Sequence, residues 1–258
     1  MSMKRTVLIT GATSGIGKAI AIKFAKEGYN IVFDSIDTDG EQIAQSIADE
    51  YKIQHLYFAV NIIDKEAVKK MVSDSVLKFG SIDILINNAG IQFVSPIDEF
   101  PDEKWDAIIG VNLSSAFHLT KAVWPKMKEK QFGRIINIAS AHGLVASAYK
   151  SAYVASKHGI IGFTKAIALE GAEFGITCNA ICPGYVHTAI IDKQIPDQMK
   201  AHNMTKEEVI EKIMLDKQAI KEFISADLIA DATLFLANEN ARTITGISLP
   251  IEGGWTAE

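Results

Sequence analysis

The feature that most constrains this chain is a glycine-spaced turn directly after its first apolar run. Thr6–Thr10 carries no charge and reads as a buried strand. It leads into Thr10-Gly11-Ala12-Thr13-Ser14-Gly15-Ile16-Gly17, after which helical periodicity covers Gly17–Glu27. Glycines permit a tight turn and let a ligand come close to the main chain. The helix beyond presents unpaired N–H groups and the positive end of its dipole. A glycine-rich turn alone means little. Between a first strand and a first helix it predicts a pyrophosphate cradle lined by Gly11, Thr13, Ser14, Gly15, Ile16 and Gly17.

The same rhythm continues along the chain. Further strand candidates are Asn30–Asp34, His55–Val60, Ile82–Asn87, Arg134–Ala139, Thr177–Cys182 and Ile247–Ile251, and helical patterns include Asp64–Phe79 and Asp102–Lys130. Apolar strands without strict alternation belong to a parallel sheet buried on both faces. Regular β-α alternation then predicts an α/β fold: one doubly wound (Rossmann) parallel sheet of about seven strands, with helices on both faces. No linker, repeat or low-complexity tract divides residues 1–258, so one catalytic domain is expected. The polar, helical interval Thr188 to Gln218 is long for one crossover. It follows the carboxyl end of a strand, where ligands bind in such folds. It reads as a small helical lid or as a plain surface helix pair.

Composition narrows the function. The chain is 48% hydrophobic and 22% charged, as expected of a large packed core, and its net charge of -5 disfavours nucleic acid as a partner. No run reaches the ~18 apolar residues of a membrane helix, and the N-terminus lacks the pattern of a cleaved signal. A cytoplasmic protein without membrane partners is expected. Cys178 and Cys182 lie in one strand candidate, where four residues span ~13 Å, beyond the ~7 Å reach of a disulfide. They read as reduced core cysteines. The scattered histidines form no metal-ligand pattern, so no metal is expected.

Two further sites carry chemistry. The second strand ends in Phe33-Asp34-Ser35-Ile36-Asp37, and no Lys or Arg lies between Lys26 and Lys52. A carboxylate at Asp34 would accept from a ribose 2′-OH and repel a 2′-phosphate, which favours NAD over NADP. Its side-chain direction is left open by the sequence. Downstream, Ser140 closes a strand candidate, and Tyr153 and Lys157 stand four apart at the start of a helix, hence on one face. An ammonium beside a phenol should lower the phenol pKa from ~10 and make Tyr153 a usable acid/base.

Together, Thr10–Gly17, Asn87-Asn88-Ala89-Gly90, Asn112, Ser140, the Tyr153/Lys157 pair and Pro183-Gly184 resemble the short-chain dehydrogenase/reductase family over essentially the whole chain. The resemblance implies that Ser140 binds the substrate oxygen and Tyr153 transfers the proton. Lys157 would hold the nicotinamide ribose, and Asn112 would hold a relay water. Further cofactor contacts are implied for Ile36, Asn61, Asn88, Gly90, Pro183, Gly184, Val186 and Thr188.

Within the family, Ile135–Ser147, Asn87–Gln92, Lys150, Asp192-Lys193-Gln194 and Gly253–Ala257 resemble the soluble bacterial D-3-hydroxybutyrate dehydrogenases. That resemblance implies a carboxylate held by Gln92, His142, Lys150 and Gln194. Tyr185 and Trp255 would lie near the methyl end, and a homotetramer is implied. Lys150 carries an independent hint, since a cation just before a helix opposes its dipole. The rivals are an NADPH-dependent 3-oxoacyl reductase and a non-catalytic NAD sensor. The complete Ser140/Tyr153/Lys157 set weighs against the second.

Overall fold

Alternate residues of the short apolar runs feed two separate cores, and this is why the runs lie in the middle of the molecule. The computed structural model describes residues 4–187, 195–196, 199–200 and 203–257. Val7, Ile9, Ile31, Phe33, Ile84 and Ile86 point to one face of a sheet and pack with Ile20, Phe24 and Ile229. Leu8, Val32, Leu85 and Ile135 point to the other and pack with Met71, Leu119, Val123 and Met127. Each such fully buried side chain contributes about 1.5–3 kcal/mol relative to exposure. A strand apolar on both faces must be covered on both, which forces the layered architecture.

The strands are β1 Thr6–Thr10, β2 Asn30–Asp34, β3 His55–Phe58, β4 Ile84–Asn87, β5 Gly133–Ile138, β6 Ile176–Pro183 and β7 Ser248–Ile251. They form one sheet in the order β3-β2-β1-β4-β5-β6-β7, with every pairing parallel. The predicted doubly wound parallel sheet is the observed fold. Helices α1 Gly15–Lys26, α2 Gly40–Tyr51, α3 Lys65–Phe79, α4 Asp102–Ile109, α5 Ser115–Lys130, α6 Ser151–Gly171, α7 Lys206–Val209 and α8 Ala226–Ala237 flank it.

Two differences from the sequence reading have physical reasons. The stretch Asp102–Lys130 is helical throughout, as expected, but a π-helical turn, Gly110–Ser114, interrupts it between α4 and α5. Its Asn112 bonds across to another loop, and such insertions often mark functional positions. The expected lid, Thr188 to Gln218, lies partly outside the described residues. Its described part holds α7 and a π-helical turn, Ile210–Met214. Val209, Met214 and Leu215 there form a small apolar cluster that packs on Tyr185 and Phe223. No helix among the described residues is long and apolar enough to cross a membrane.

The strand order reverses direction between β1 and β4. Loops leaving those strands diverge to opposite faces and open a crevice at the carboxyl ends, where ligands bind in folds of this type.

Candidate active site

The glycine turn fills one side of that crevice. Gly11 and Gly15 have φ of +61° and +50°, in the left-handed region that side chains disfavour. A Cβ on Gly17 would lie 2.0 Å from the Gly11 carbonyl oxygen. Helix α1 starts without a side-chain cap at Ser14 and without an acid in its first turn. By contrast, Asp64 caps α3 by accepting from the Glu66 and Ala67 N–H groups. The first turn of α1 is therefore left with donors and a positive dipole end for an external anion, and the cradle fits a dinucleotide pyrophosphate. Asn88, after β4, closes the crevice floor: its Nδ2 donates to the Thr10 and Gly11 carbonyls at 2.8 and 3.2 Å. Its N–H donates to Thr10 Oγ1.

At the end of β2 the structure corrects the reading of Asp34. Its side chain turns inward, is 2% exposed and accepts from the Val60 N–H at 3.2 Å. Burial pushes its carboxyl up to about 7. The carboxylate at the rim of the glycine turn is Asp37, which accepts from Thr13 Oγ1 at 2.7 Å. Ser35 Oγ bonds Thr13 Oγ1 at 2.6 Å and accepts from the Asp37 N–H. The Thr13 hydroxyl holds the Asp37 carboxyl below its usual range. Ile36 projects outward beside this cluster, 79% exposed. Asn61 lies exposed after β3, with its Oδ1 accepting from the Ile63 N–H.

The structure brings Ser140, Tyr153 and Lys157 together in the crevice. Helix α6 carries Tyr153 and Lys157 on one face, with Lys157 Nζ 5.6 Å from the Tyr153 ring centroid. Lys157 is buried and donates to the Ile138 carbonyl at 2.8 Å. The Ser140 hydroxyl lies near enough to Tyr153 to lower its phenol pKa and accepts from the His142 N–H at 3.1 Å.

The expected electrostatics do not hold here. Burial raises the Tyr153 phenol above its ordinary value, and the neighbouring Ser140 hydroxyl only partly opposes it. Burial also pushes Lys157 down to about 8. Its charge sits against a carbonyl rather than against the phenol oxygen, so desolvation outweighs the neighbouring ammonium.

Asn112 is buried, and its side chain is fully engaged within the protein. Oδ1 accepts from the Ile91 N–H at 2.8 Å, while Nδ2 donates to the Ile91 carbonyl at 2.9 Å and to Ser156 Oγ at 3.1 Å. It clamps the loop carrying Gly90. A Cβ on Gly90 would lie 3.4 Å from Asn112 Oδ1 and 3.7 Å from Lys157 Nζ.

A cleft of about 290 Å³ joins these groups to the proposed substrate residues. Its lining includes Ile16, Asn88, Gly90, Ser140, Tyr153, Lys157, Pro183, Gly184 and Val186, and also Gln92, His142, Lys150, Tyr185 and Trp255. Thr188 and Gln194, with Asp192 and Lys193, lie outside the described residues. Tyr185 and Trp255 stack with centroids 5.9 Å apart and planes 4° from parallel. The His142 ring meets Trp255 edge-on at 5.0 Å and Tyr153 at 5.8 Å. Burial and the nearby Lys150 push His142 down to about 4, so it is a neutral hydrogen-bonding group. Its Nε2 is 3.0 Å from Ser147 Oγ. Lys150 stands at the N-cap of α6 with no capping bond from its side chain, and burial lowers its ammonium pKa.

Sequence reasoning missed Asp37 and Ser147. Asp37 lay in the run already under scrutiny, and only its backbone path separates it from Asp34. Ser147 carried no local signal. Both cysteines are free and buried, with Cys178 raised to about 12 and Cys182 to about 11 by burial.

Comparison with known proteins agrees with this geometry. The family model for short chain dehydrogenases matches residues 5–199. The chain is 49% identical to D-beta-hydroxybutyrate dehydrogenase of Rhizobium meliloti (strain 1021), over 99% of this chain and 100% of that protein. It is 45% identical to the D-beta-hydroxybutyrate dehydrogenase of Cupriavidus necator, over 98% of each. Among solved structures, a single-residue variant of actinorhodin polyketide ketoreductase with NADPH superimposes with a TM-score of 0.91 at 31% identity, over 99% of this chain and 98% of that one. The glycine turn, the Ser140/Tyr153/Lys157 set and the match across most of its length make this chain an oxidoreductase of the short-chain dehydrogenase family.

Proposed function

We propose that this chain reversibly oxidises (R)-3-hydroxybutyrate to acetoacetate with NAD. One observation carries the reading. The cleft that holds Ser140, Tyr153 and Lys157 also holds the Lys150 ammonium, placed at a helix N-terminus where the dipole opposes it. A residue set against local stability marks a functional position. A small hydroxy acid matches this arrangement, with its hydroxyl at Tyr153 and its carboxylate toward Lys150, His142 and Gln92. Gln194 is proposed as a fourth carboxylate contact. The stacked Tyr185 and Trp255 would wall the methyl end. The similarity to two D-beta-hydroxybutyrate dehydrogenases supports the same substrate.

In the oxidation direction Tyr153 is the base that takes the hydroxyl proton. Because burial raises its phenol, the phenolate that does so is a minor form, and oxidation should quicken as pH rises. Ser140 donates a hydrogen bond to the same oxygen and steadies its charge as the carbonyl forms. When bound, the nicotinamide supplies the hydride acceptor for C3. The Lys157 ammonium contributes positive charge beside Tyr153 and a donor for the nicotinamide ribose. The Asn112 side chain holds the Gly90–Ile91 loop and so sets the position of Gly90 in the cleft. Lys150 neutralises the substrate carboxylate, while neutral His142 and Gln92 add hydrogen bonds without charge.

The preference for NAD rests on the end of β2. Asp37, with Thr13 and Ser35, offers a carboxylate to a ribose diol, and Lys and Arg are absent from residues 27–51. The solved ketoreductase was crystallised with NADPH, so direct comparison of the two cofactors is needed. The whole chain is read as one catalytic domain with residues 188–218 as its lid. We read it as a cytoplasmic protein, with the family resemblance in support of a homotetramer. An absorbance assay at the NADH band tests the proposal, with both enantiomers of 3-hydroxybutyrate, longer hydroxy acids and both cofactors. Turnover of the R acid with NAD above all others is expected. Activity confined to NADPH and acyl thioesters would overturn it.

A further inference from the structure

Behind the aromatic wall of the cleft sits a buried amide that the reaction does not use. Gln218 is 1% exposed. Its Oε1 accepts from the Tyr185 N–H at 3.0 Å, and its Nε2 donates to the Glu222 and Ile220 carbonyls at 2.9 and 3.3 Å. The Ile220 N–H in turn donates to the Gly253 carbonyl at 2.8 Å, and the Ile224 N–H to the Tyr185 carbonyl at 2.9 Å.

Two glycines make room for this amide. A Cβ on Gly184 would lie 2.7 Å from Gln218 Oε1, and one on Gly253 would lie 2.9 Å from Gln218 Nε2. Gly184 precedes Tyr185, and Gly253 is two residues before Trp255. The two aromatic residues that line the cleft thus stand on stretches of chain that close around one side chain.

We propose that Gln218 is a positioning residue that sets the spacing of Tyr185 and Trp255, and through them the width of the cleft at the substrate's alkyl end. The alkyl assignment rests on the 3-hydroxybutyrate reading, whereas the control of the aromatic wall does not. Without the amide, the Tyr185 N–H and two carbonyls lose buried partners. The least costly remedy is for both segments to move toward water, which separates the stacked rings and widens the cleft. The reacting end, held by α6 and β5, has no bond to Gln218 and should keep its geometry.

The test uses the full chain with Trp105→Phe and Trp124→Phe, which leaves Trp255 as the one tryptophan. In that background, Gln218→Met keeps the volume and removes the polar atoms. Acrylamide quenching of Trp255 should rise. KM for (R)-3-hydroxybutyrate should rise about tenfold or more, as expected for losing one well-placed wall of a small site. Little change in kcat is expected, because Ser140 lies just past β5 and Tyr153 and Lys157 lie on α6. NADH affinity should fall less than substrate affinity, since Gly184 and Val186 flank the segment that moves. The preference for (R)-3-hydroxybutyrate over (R)-3-hydroxyhexanoate should fall.

Gln218→Glu is the second variant. Its carboxyl keeps an acceptor for the Tyr185 N–H. When protonated it also donates, as the amide does; when ionised it faces two carbonyls. Trp255 quenching in this variant should rise with pH and return on acidification. The parent is the control, with the same titratable neighbours. Glu252 accepts from the Thr256 N–H, Lys221 donates to the Leu215 carbonyl, and His142, edge-on to Trp255, is neutral above about 4. Quenching in the parent should therefore stay flat above that pH. Unchanged quenching in folded Gln218→Met overturns the proposal, as does pH-independent quenching in Gln218→Glu should the first variant not fold. A parent enzyme inactive on 3-hydroxybutyrate overturns the substrate reading alone, and the quenching then decides the role of Gln218.

Discussion

Replacing Lys150 with alanine should damage function and spare stability, and the two signs together test the carboxylate pocket. Lys150 is half-buried at the N-cap of α6, with no capping bond from its side chain, and burial already disfavours its ammonium. A cation there opposes the helix dipole at a cost of about 0.3–1 kcal/mol. Lys150→Ala should therefore leave the melting temperature unchanged or slightly raised. Its benefit is to the ligand: a charge-assisted hydrogen bond to a carboxylate contributes about 1.5–3 kcal/mol, roughly ten- to a hundredfold in affinity. The assay compares acetoacetate with its methyl ester as substrates for reduction, followed by loss of NADH absorbance. Wild type should strongly prefer the acid. Lys150→Ala should lose kcat/KM on the acid by that factor and change little on the ester, since both present the same ketone to Tyr153. The acid preference should also fade as pH rises through the lowered Lys150 pKa. His142, neutral above about 4, adds no titration at the higher pH where the enzyme would be assayed. Equal losses on acid and ester, or a clear drop in melting temperature, would refute the reasoning.

Three other perturbations follow from the same geometry. Tyr153→Phe removes the proton handle alone, so turnover should fall by about 10²–10⁴-fold with NADH affinity retained; near-normal turnover would falsify the mechanism. Wild type should show higher kcat/KM with NAD than with NADP, and Asp37→Ala should narrow that ratio by admitting the 2′-phosphate; an unaltered ratio would remove Asp37 from cofactor choice. Asp34→Asn tests the buried carboxyl. Asp34 titrates at about 7 in the folded chain against an ordinary value of 3.8. The native state then keeps a proton that the unfolded chain loses, so wild-type stability falls as pH rises from about 4 to about 7. That gap is worth at most about 4 kcal/mol. The asparagine variant, which keeps an acceptor for the Val60 N–H, should match wild type near pH ~4 and exceed it at pH ~8, on either side of that window. Denaturant melts at both values check this, and a constant difference between the proteins would sink it.

What the sequence determined by itself was local. The glycine spacing of Thr10–Gly17, the unbroken apolar character of the strand runs and the four-residue step from Tyr153 to Lys157 are properties of short segments. Backbone stereochemistry fixes their meaning wherever they lie. The topology followed, because parallel strands apolar on both faces have few ways to be covered.

What tertiary structure decided was where polar atoms go once distant segments meet. Asp34 and Asp37 are indistinguishable in the run Asp34-Ser35-Ile36-Asp37. The Val60 N–H, just past the neighbouring strand, draws the first inward, and Thr13 in the glycine turn holds the second at the rim. The Asn112 amide is claimed by Ile91, 21 residues away. Tyr153 is not acidified by its lysine neighbour, because the burial that assembles the cleft costs both groups their solvation. Gln218 had no signal at all, since its role exists only when residues 184–185, 218–224 and 252–255 close on one another. Periodicity reports which face of an element is apolar; the partners of a buried polar group are chosen by the three-dimensional closure of the chain, and no window of neighbouring residues contains them.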